Sequence, residues 1–116
     1  MKAGQARIIF VTCKSLSEAR RIATAVVHKR LAACVNILLN PAESVYRWKN
    51  KVETTREYLL IIKTTANRLS ELEREVRSLH GYEVPEFIVL PVVAGSRAYL
   101  DWLYGCVPRK ARKEKK

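Results

Sequence analysis

The chain has few of the residues that mark unusual protein classes. Its 116 residues include only four glycines and four prolines, which excludes collagen-like and low-complexity proteins. Its apolar runs are far shorter than a membrane-spanning helix requires, and its first residues do not resemble a secretion signal. We therefore expect a cytoplasmic protein. A hydrophobic fraction of 48% is sufficient for one packed domain of this length.

Cysteine is also scarce, which excludes two common stabilising devices. Cys13, Cys34 and Cys106 are an odd number at wide spacing, so they do not form a disulfide framework. No Cys-x-x-Cys pair is present to hold zinc or to act in redox chemistry. Cys34 lies inside an apolar run, where a thiol is expected to pack as a small apolar group.

Positive charge is in excess, with a formal net charge of +11. Residues 109–116 hold six basic residues and one acidic residue, which predicts a disordered tail after a domain of residues 1–108. Such a tail binds polyanions only weakly, through counterion release and without sequence preference. No nucleic-acid-binding motif accompanies it, so we do not expect a specific nucleic-acid partner.

Apolar patterning predicts a strand followed by a helix near the N-terminus. Residues 8–12 are β-branched or aromatic, as in a strand that is buried on both faces. Ser15 and Glu18 have the spacing of a capping box, in which the two side chains satisfy free backbone N–H groups at a helix start. The helix that follows should end near residues 29–31. Its apolar residues share one predicted buried stripe: Ala19, Ile22, Ala23, Val26 and Val27.

The middle of the chain predicts a strand at 33–39 and then a long hairpin. Residues 44–48 have strand composition before a polar turn at 49–51, and the chain returns after the turn in strands at 52–55 and 57–63. Trp48 lies beside that turn. A large indole on a protruding ribbon usually needs another surface to cover it.

The last third predicts a second helix, a strand and a short final helix. The second helix covers residues 65–80, with Gly81 as a C′ residue that can take positive φ. An apolar strand follows at 87–93, and Ser96 caps a helix over 97–103. The order β-α-β-β-α-β predicts an α+β, ferredoxin-like fold, in which an antiparallel sheet carries both main helices on one face. Because two of the strands are apolar on both sides, we expect another subunit to cover the second face.

These residues resemble the CutA (divalent-cation tolerance) family in several blocks. The resemblance implies a ferredoxin-like homotrimer, similar in architecture to the PII signalling proteins, which bind small ligands in clefts between subunits. It also implies tolerance of divalent metals, with copper or another divalent cation as the ligand. The blocks run from about residue 8 to residue 103: 11–13, 29–36, 44–48, 60–64, 79–86, 90–92 and 99–103.

The resemblance implies a metal site that this chain matches only in part. The family associates copper with a cysteine on the first strand and two adjacent histidines; those positions fall on Val11, Leu79 and His80. Only His80 matches, while Cys13 lies two residues beyond Val11 and so on the same face of a straight strand. We take His80 and Cys13 as the candidate metal ligands. Gly81 replaces a common family proline, which predicts a looser turn.

Catalysis is not expected, since no serine or cysteine comes with a recognisable base and orienting partner. We expect no required cofactor. Trp48, Lys63, Tyr82 and Glu86 are the candidate residues of an intersubunit ligand cleft, and packing at the trimer interface explains them equally well. Two functions remain open: a metal-binding tolerance protein, and a PII-like trimer that binds a small ligand or a partner.

Overall fold

The computed structural model describes residues 4–109 and contains, in that range, five strands and three α-helices. Their order confirms the α+β prediction. The last helix runs to residue 106, three residues beyond its predicted end at residue 103. The elements are β1 (Ala6–Cys13), α1 (Leu16–His28), β2 (Cys34–Ile37), β3 (Ala42–Trp48), β4 (Lys51–Thr65), a 3-10 turn (Ala66–Arg68), α2 (Leu69–Leu79), β5 (Ile88–Pro91) and α3 (Arg97–Cys106).

All strand pairs are antiparallel, and the sheet has the order β2-β4-β1-β5. β4 is a single strand of 15 residues, where the sequence predicted a shorter one at 57–63. Its inner half pairs with β1 and β2, and its outer half, Lys51–Glu57, pairs with β3. The outer half and β3 are the predicted hairpin. The two turn residues, Lys49 and Asn50, have φ of 49° and 66°, as a two-residue type I′ turn requires.

Helices α1 and α2 cover one face of the sheet, as predicted. Odd-numbered residues of β1 and even-numbered residues of β4 face these helices, because the register places Ile9 opposite Ile62 and Val11 opposite Leu60. Val27 departs from the predicted stripe and is 40% exposed. The buried core of this layer is Ile9, Val11, Cys13, Ala19, Ile22, Val26, Leu31, Ala32, Leu60, Ile62, Leu72 and Val76.

The opposite face is only partly covered by the chain itself. Leu100 and Leu103 of α3 pack against Ala6 at the end of the sheet where β1 begins. The rest of this face carries apolar side chains that are half-buried or exposed. This agrees with the prediction that these strands are apolar on both sides. We call them the open face: Ile8, Phe10, Leu59, Ile61, Ile88 and Leu90.

Two details at the helix ends differ from the sequence predictions. Ser15 caps α1 as expected and accepts the Glu18 N–H, but the Glu18 carboxylate does not return to the Ser15 N–H. Gly81 is not among the described residues with positive φ, so it is not the left-handed C′ residue that was predicted. The chain already leaves α2 in an extended conformation at His80. Arg30 instead takes the left-handed conformation, after α1.

The Gly81 N–H donates to Glu18, a contact that proline could not make because it has no N–H. The looser turn stays a prediction. No helix within residues 4–109 is both long and apolar enough to span a bilayer. The predicted tail lies outside the described residues from residue 110 onward.

Candidate functional site

A group of potential metal ligands lies where β1, α1 and α2 meet. Cys13 ends β1, Glu18 lies in the first turn of α1, and His80 follows α2. One ligand atom from each of the three lies within 4.8 Å of the others. The structure thus brings the two predicted ligands together, and it adds Glu18, which sequence analysis had treated only as a helix-capping residue.

The imidazole of His80 is fully buried, and both of its nitrogens have backbone partners. Its Nδ1 accepts the Tyr82 N–H at 3.1 Å. An accepting Nδ1 places the proton of a neutral imidazole on Nε2, which therefore donates to the Thr12 carbonyl at 2.7 Å. These bonds fix both the tautomer and the orientation of the ring.

Glu18 is buried to 3% exposure, and both of its carboxylate oxygens accept backbone N–H groups. Oε2 accepts from Gly81 at 2.8 Å, and Oε1 accepts from Lys14 at a longer 3.4 Å. Oε1 also lies 3.8 Å from Nδ1 of His80. The Glu18 carboxylate lies so close to Gly81 that a Cβ added at Gly81 would be 2.9 Å from Oε2.

Cys13 has no exposed surface. Burial and the negative charges of Glu18 and Glu57 raise the pKa of its thiol to about 12, so the thiol stays protonated at neutral pH. A buried, protonated thiol is not an activated nucleophile. The Cys13–His80 pair therefore lacks the exposed thiolate that cysteine catalysis needs.

The three residues do not fit a resident divalent ion. An ion on Nε2 of His80 would displace the Thr12 carbonyl, and an ion on Nδ1 would leave the Tyr82 N–H without its acceptor. Burying a backbone N–H without an acceptor costs about 1–3 kcal/mol. The donor types suit copper or zinc. Both nitrogens of the His80 imidazole, however, already form hydrogen bonds with backbone groups.

A second polar group lies between the hairpin and the segment after α2. Burial raises the pKa of the Tyr82 hydroxyl, and the neighbouring Glu57 of β4 adds to this rise. Burial and the charge of Glu57 also raise the pKa of Glu86. Acidic groups are thus concentrated here in a chain of positive net charge, and added positive charge would relieve their repulsion.

A pocket of about 280 Å³ adjoins this group, and we call it the hairpin pocket. Trp48 and Tyr82, predicted from the sequence, both line it, whereas Glu86 is not among its lining residues. Tyr46 was not predicted, although it alternates with Trp48 along β3 and so shares its face. The lining residues are Tyr46, Trp48, Gly81, Tyr82, Glu83 and Val84.

Lys63 lies apart from the other predicted cleft residues within one chain. It is six positions along β4 from Glu57, which is roughly 20 Å of strand. Its ammonium donates to the Asn36 side chain and lies 4.0 Å from the Cys34 sulfur. A larger hollow of about 620 Å³, between α1 and β2, contains none of the predicted cleft residues.

Comparison with known proteins gives one consistent family. Residues 7–105 match the model of the family "CutA1 divalent ion tolerance protein". The divalent-cation tolerance protein CutA of Thermus thermophilus is 46% identical over 96 residues, which cover 83% of this chain and 92% of that protein. Human protein CutA is 48% identical over 100 residues, but the match spans only 55% of the human protein and 86% of this chain.

Solved structures of the same family share the fold. The Thermus thermophilus protein superposes with a TM-score of 0.86 at 43% identity, covering 89% of this chain and 99% of that one. CutA from Synechococcus elongatus, solved in complex with a Bis-Tris molecule, has a TM-score of 0.83 at 36% identity, covering 91% and 97%. By sequence and by fold, this chain belongs to the CutA1 family of divalent ion tolerance proteins.

Proposed function

We propose that this protein is a non-catalytic homotrimer that binds a small cationic ligand in the hairpin pocket. The observation that carries the proposal is the open face. Ile88 and Leu90 lie on the same face of β5 and are 51% and 37% exposed. The half-buried Phe10 and Ile61 lie beside them. Contiguous apolar surface of this kind marks an interaction site.

The partner that best fits the open face is a second copy of the same chain. Closed rotational symmetry lets identical surfaces cover one another without leaving an edge free. Three copies are the number that the CutA resemblance implies. Such an assembly would also set each hairpin beside a neighbouring subunit, where Trp48 would gain cover.

A pair of substitutions tests the interface. Leu90→Glu places a charge on the open face, whereas Val27→Glu places the same charge on α1, where the native side chain is similarly exposed at 40%. We expect light scattering to show that Leu90→Glu dissociates the assembly and that Val27→Glu does not. Retention of the wild-type mass by Leu90→Glu would contradict this interface.

The chemistry of the hairpin pocket favours a positively charged ligand. Tyr46, Trp48 and Tyr82 offer aromatic faces, which attract cations. Glu83 lines the same pocket, and the carboxylate of Glu57 acts on Tyr82 beside it. A polyhydroxylated amine would meet both features, with its cationic nitrogen near the rings and its hydroxyls near the carboxylates.

Bis-Tris, a polyhydroxylated tertiary amine, is a suitable probe for this pocket. Calorimetric titration should show binding to the wild-type protein and a loss of about tenfold in affinity for Trp48→Ala, as expected for one cation–π contact and its packing. Trp102→Ala is the matched control, since Trp102 is an indole of similar exposure on α3. Equal affinities for the two variants would refute the assignment of the pocket.

Divalent-cation tolerance does not require a resident ion in this proposal. The backbone bonds of both His80 nitrogens and the full burial of Cys13 argue against copper as a bound cofactor. We therefore expect copper titrations of the wild type and of His80→Ala to be indistinguishable. Tighter copper binding by the wild type would instead support the metal-binding function.

We also propose that the protein acts in the cytoplasm. Names of relatives place some family members in the chloroplast or the periplasm, so the location varies within the family. Cell fractionation of the producing organism with an antibody against the chain tests this. Recovery in a periplasmic or organelle fraction would contradict it.

A further inference from the structure

We infer that Glu18 and His80 are positioning residues that latch residues 80–82 onto the β1–α1 junction and so fix one wall of the hairpin pocket. This rests on the proposed ligand-binding role of that pocket. It assigns to the Cys13–Glu18–His80 group a structural task in place of the metal site that its residue types suggest.

Two hydrogen bonds cross between the segment and the junction. The His80 Nε2–H donates to the Thr12 carbonyl at 2.7 Å, and the Gly81 N–H donates to Glu18 at 2.8 Å. The acceptors come from the end of β1 and from the first turn of α1. Since the acceptors lie on two different elements, the segment is held against both translation and rotation.

A third bond continues the latch to Tyr82. The Tyr82 N–H donates to Nδ1 of His80 at 3.1 Å, and the two rings pack with centroids 4.8 Å apart. The hydroxyl end of Tyr82 interacts with Glu57 of the hairpin. Tyr82 is therefore held at its backbone by the latch, and it lines the pocket together with Tyr46 and Trp48 of the hairpin.

The latch depends on close packing at Gly81. A Cβ at this position would lie 2.9 Å from the Glu18 carboxylate, well inside ordinary contact distance. Glu18 is buried and held by two N–H groups, so it has little room to move aside. Glycine is favoured at position 81 because a side chain would come too close to Glu18. The backbone conformation does not require it, since Gly81 is not among the described residues with positive φ.

Hydrogen exchange at single amides, measured by NMR, tests the latch without any ligand. Glu18→Ala removes the acceptor of the Gly81 N–H, and hydrogen bonds to charged groups are stronger than those between neutral groups. We expect the Gly81 and Tyr82 amides to exchange about tenfold faster or more, with unchanged exchange at the centres of β1 and β4. Glu73→Ala, an exposed glutamate of α2, is the control and should change neither amide.

The outcomes separate the latch from a general packing role and from the proposed function. Unchanged exchange at Gly81 and Tyr82 in Glu18→Ala would overturn the latch, and so would uniformly faster exchange throughout the protein. We further expect Glu18→Ala, but not Glu73→Ala, to weaken Bis-Tris binding. If the wild type does not bind Bis-Tris, the proposed function fails, while the exchange experiment still decides the latch.

A spectroscopic measurement tests the claim that the group holds no metal. Cobalt(II) bound by a thiolate gives a near-ultraviolet charge-transfer band. We expect cobalt to give the wild type and Cys13→Ser the same spectrum, since Cys13 is fully buried and both nitrogens of His80 are already bonded to backbone groups. A band present in the wild type and lost in Cys13→Ser would overturn the inference.

Discussion

The Glu18 carboxylate accepts the Gly81 N–H at 2.8 Å, although the two residues lie 63 positions apart in the chain. Glu18 is in the first turn of α1, and Gly81 follows the C-terminal end of α2. The contact ties the start of one helix to the segment after the other. It also limits what side chain position 81 can carry.

Gly81→Ala should destabilise the protein by about 1–2 kcal/mol, because the added Cβ forces Glu18 away from the N–H groups that it binds. Gly105→Ala is the control. Its Cβ would meet no atom within 4 Å, and alanine in helix α3 should be neutral or stabilising by up to about 1 kcal/mol. Urea denaturation at one fixed protein concentration measures both changes. Equal stability of the two variants would contradict the close contact at Gly81.

Arg30→Gly should stabilise the protein. Arg30 follows α1 with φ of 58°, where its N–H bonds the Val27 carbonyl and the Leu31 N–H bonds the Val26 carbonyl. This Schellman motif favours glycine at its left-handed residue, so we expect a gain of about 0.5–1 kcal/mol. Arg20→Gly, inside the same helix and exposed, should cost about 1 kcal/mol. Thermal unfolding of the two variants should therefore shift in opposite directions, and a shared direction would be evidence against the motif.

Thr64→Val should cost about 1–2 kcal/mol. The Thr64 hydroxyl is fully buried and donates to the Leu31 carbonyl at 2.6 Å, which fastens the chain after α1 to β4. Valine keeps the shape but leaves that carbonyl without this donor. Thr54→Val, on the exposed outer half of β4, should change stability by less than about 0.5 kcal/mol. A neutral Thr64→Val in chemical denaturation would show that the bond contributes nothing.

Stability should decline in alkaline solution as a result of Cys13. Its pKa rises from 9.0 when exposed to about 12 in the fold, so between these values the unfolded chain releases a proton that the folded protein retains. Fewer protons on the unfolded state make the free energy of unfolding fall with rising pH. Cys13→Ala should flatten this slope, whatever its effect at neutral pH. An identical slope in Cys13→Ala, measured by denaturation from pH 8 to pH 11, would exclude Cys13 as the cause.

Much of the fold follows from local patterns in the sequence. The apolar stripe of α1, the Ser15 and Ser96 caps and the two-residue hairpin turn each depend on neighbouring residues, so sequence alone indicates them. The order of strands and helices along the chain followed from the same local patterns. The break predicted within β4 was wrong because β3 pairs with the whole outer half of that strand.

The candidate site was harder to predict because its contacts join distant parts of the chain. Glu18 was identified as a capping residue, and no local pattern indicates that its carboxylate instead binds Gly81. Glu57 appears in the sequence as one residue of a strand, and only the fold brings Tyr82 to it. The structure brings His80 and Cys13 together, but the backbone partners of His80 are visible only in three dimensions.

The most direct test of the account is the mass of the purified wild-type chain in solution. The open face predicts that light scattering at micromolar concentration gives three times the 13.3 kDa of one chain. A folded species of 13.3 kDa would show that the open face tolerates water, and it would contradict the proposed assembly.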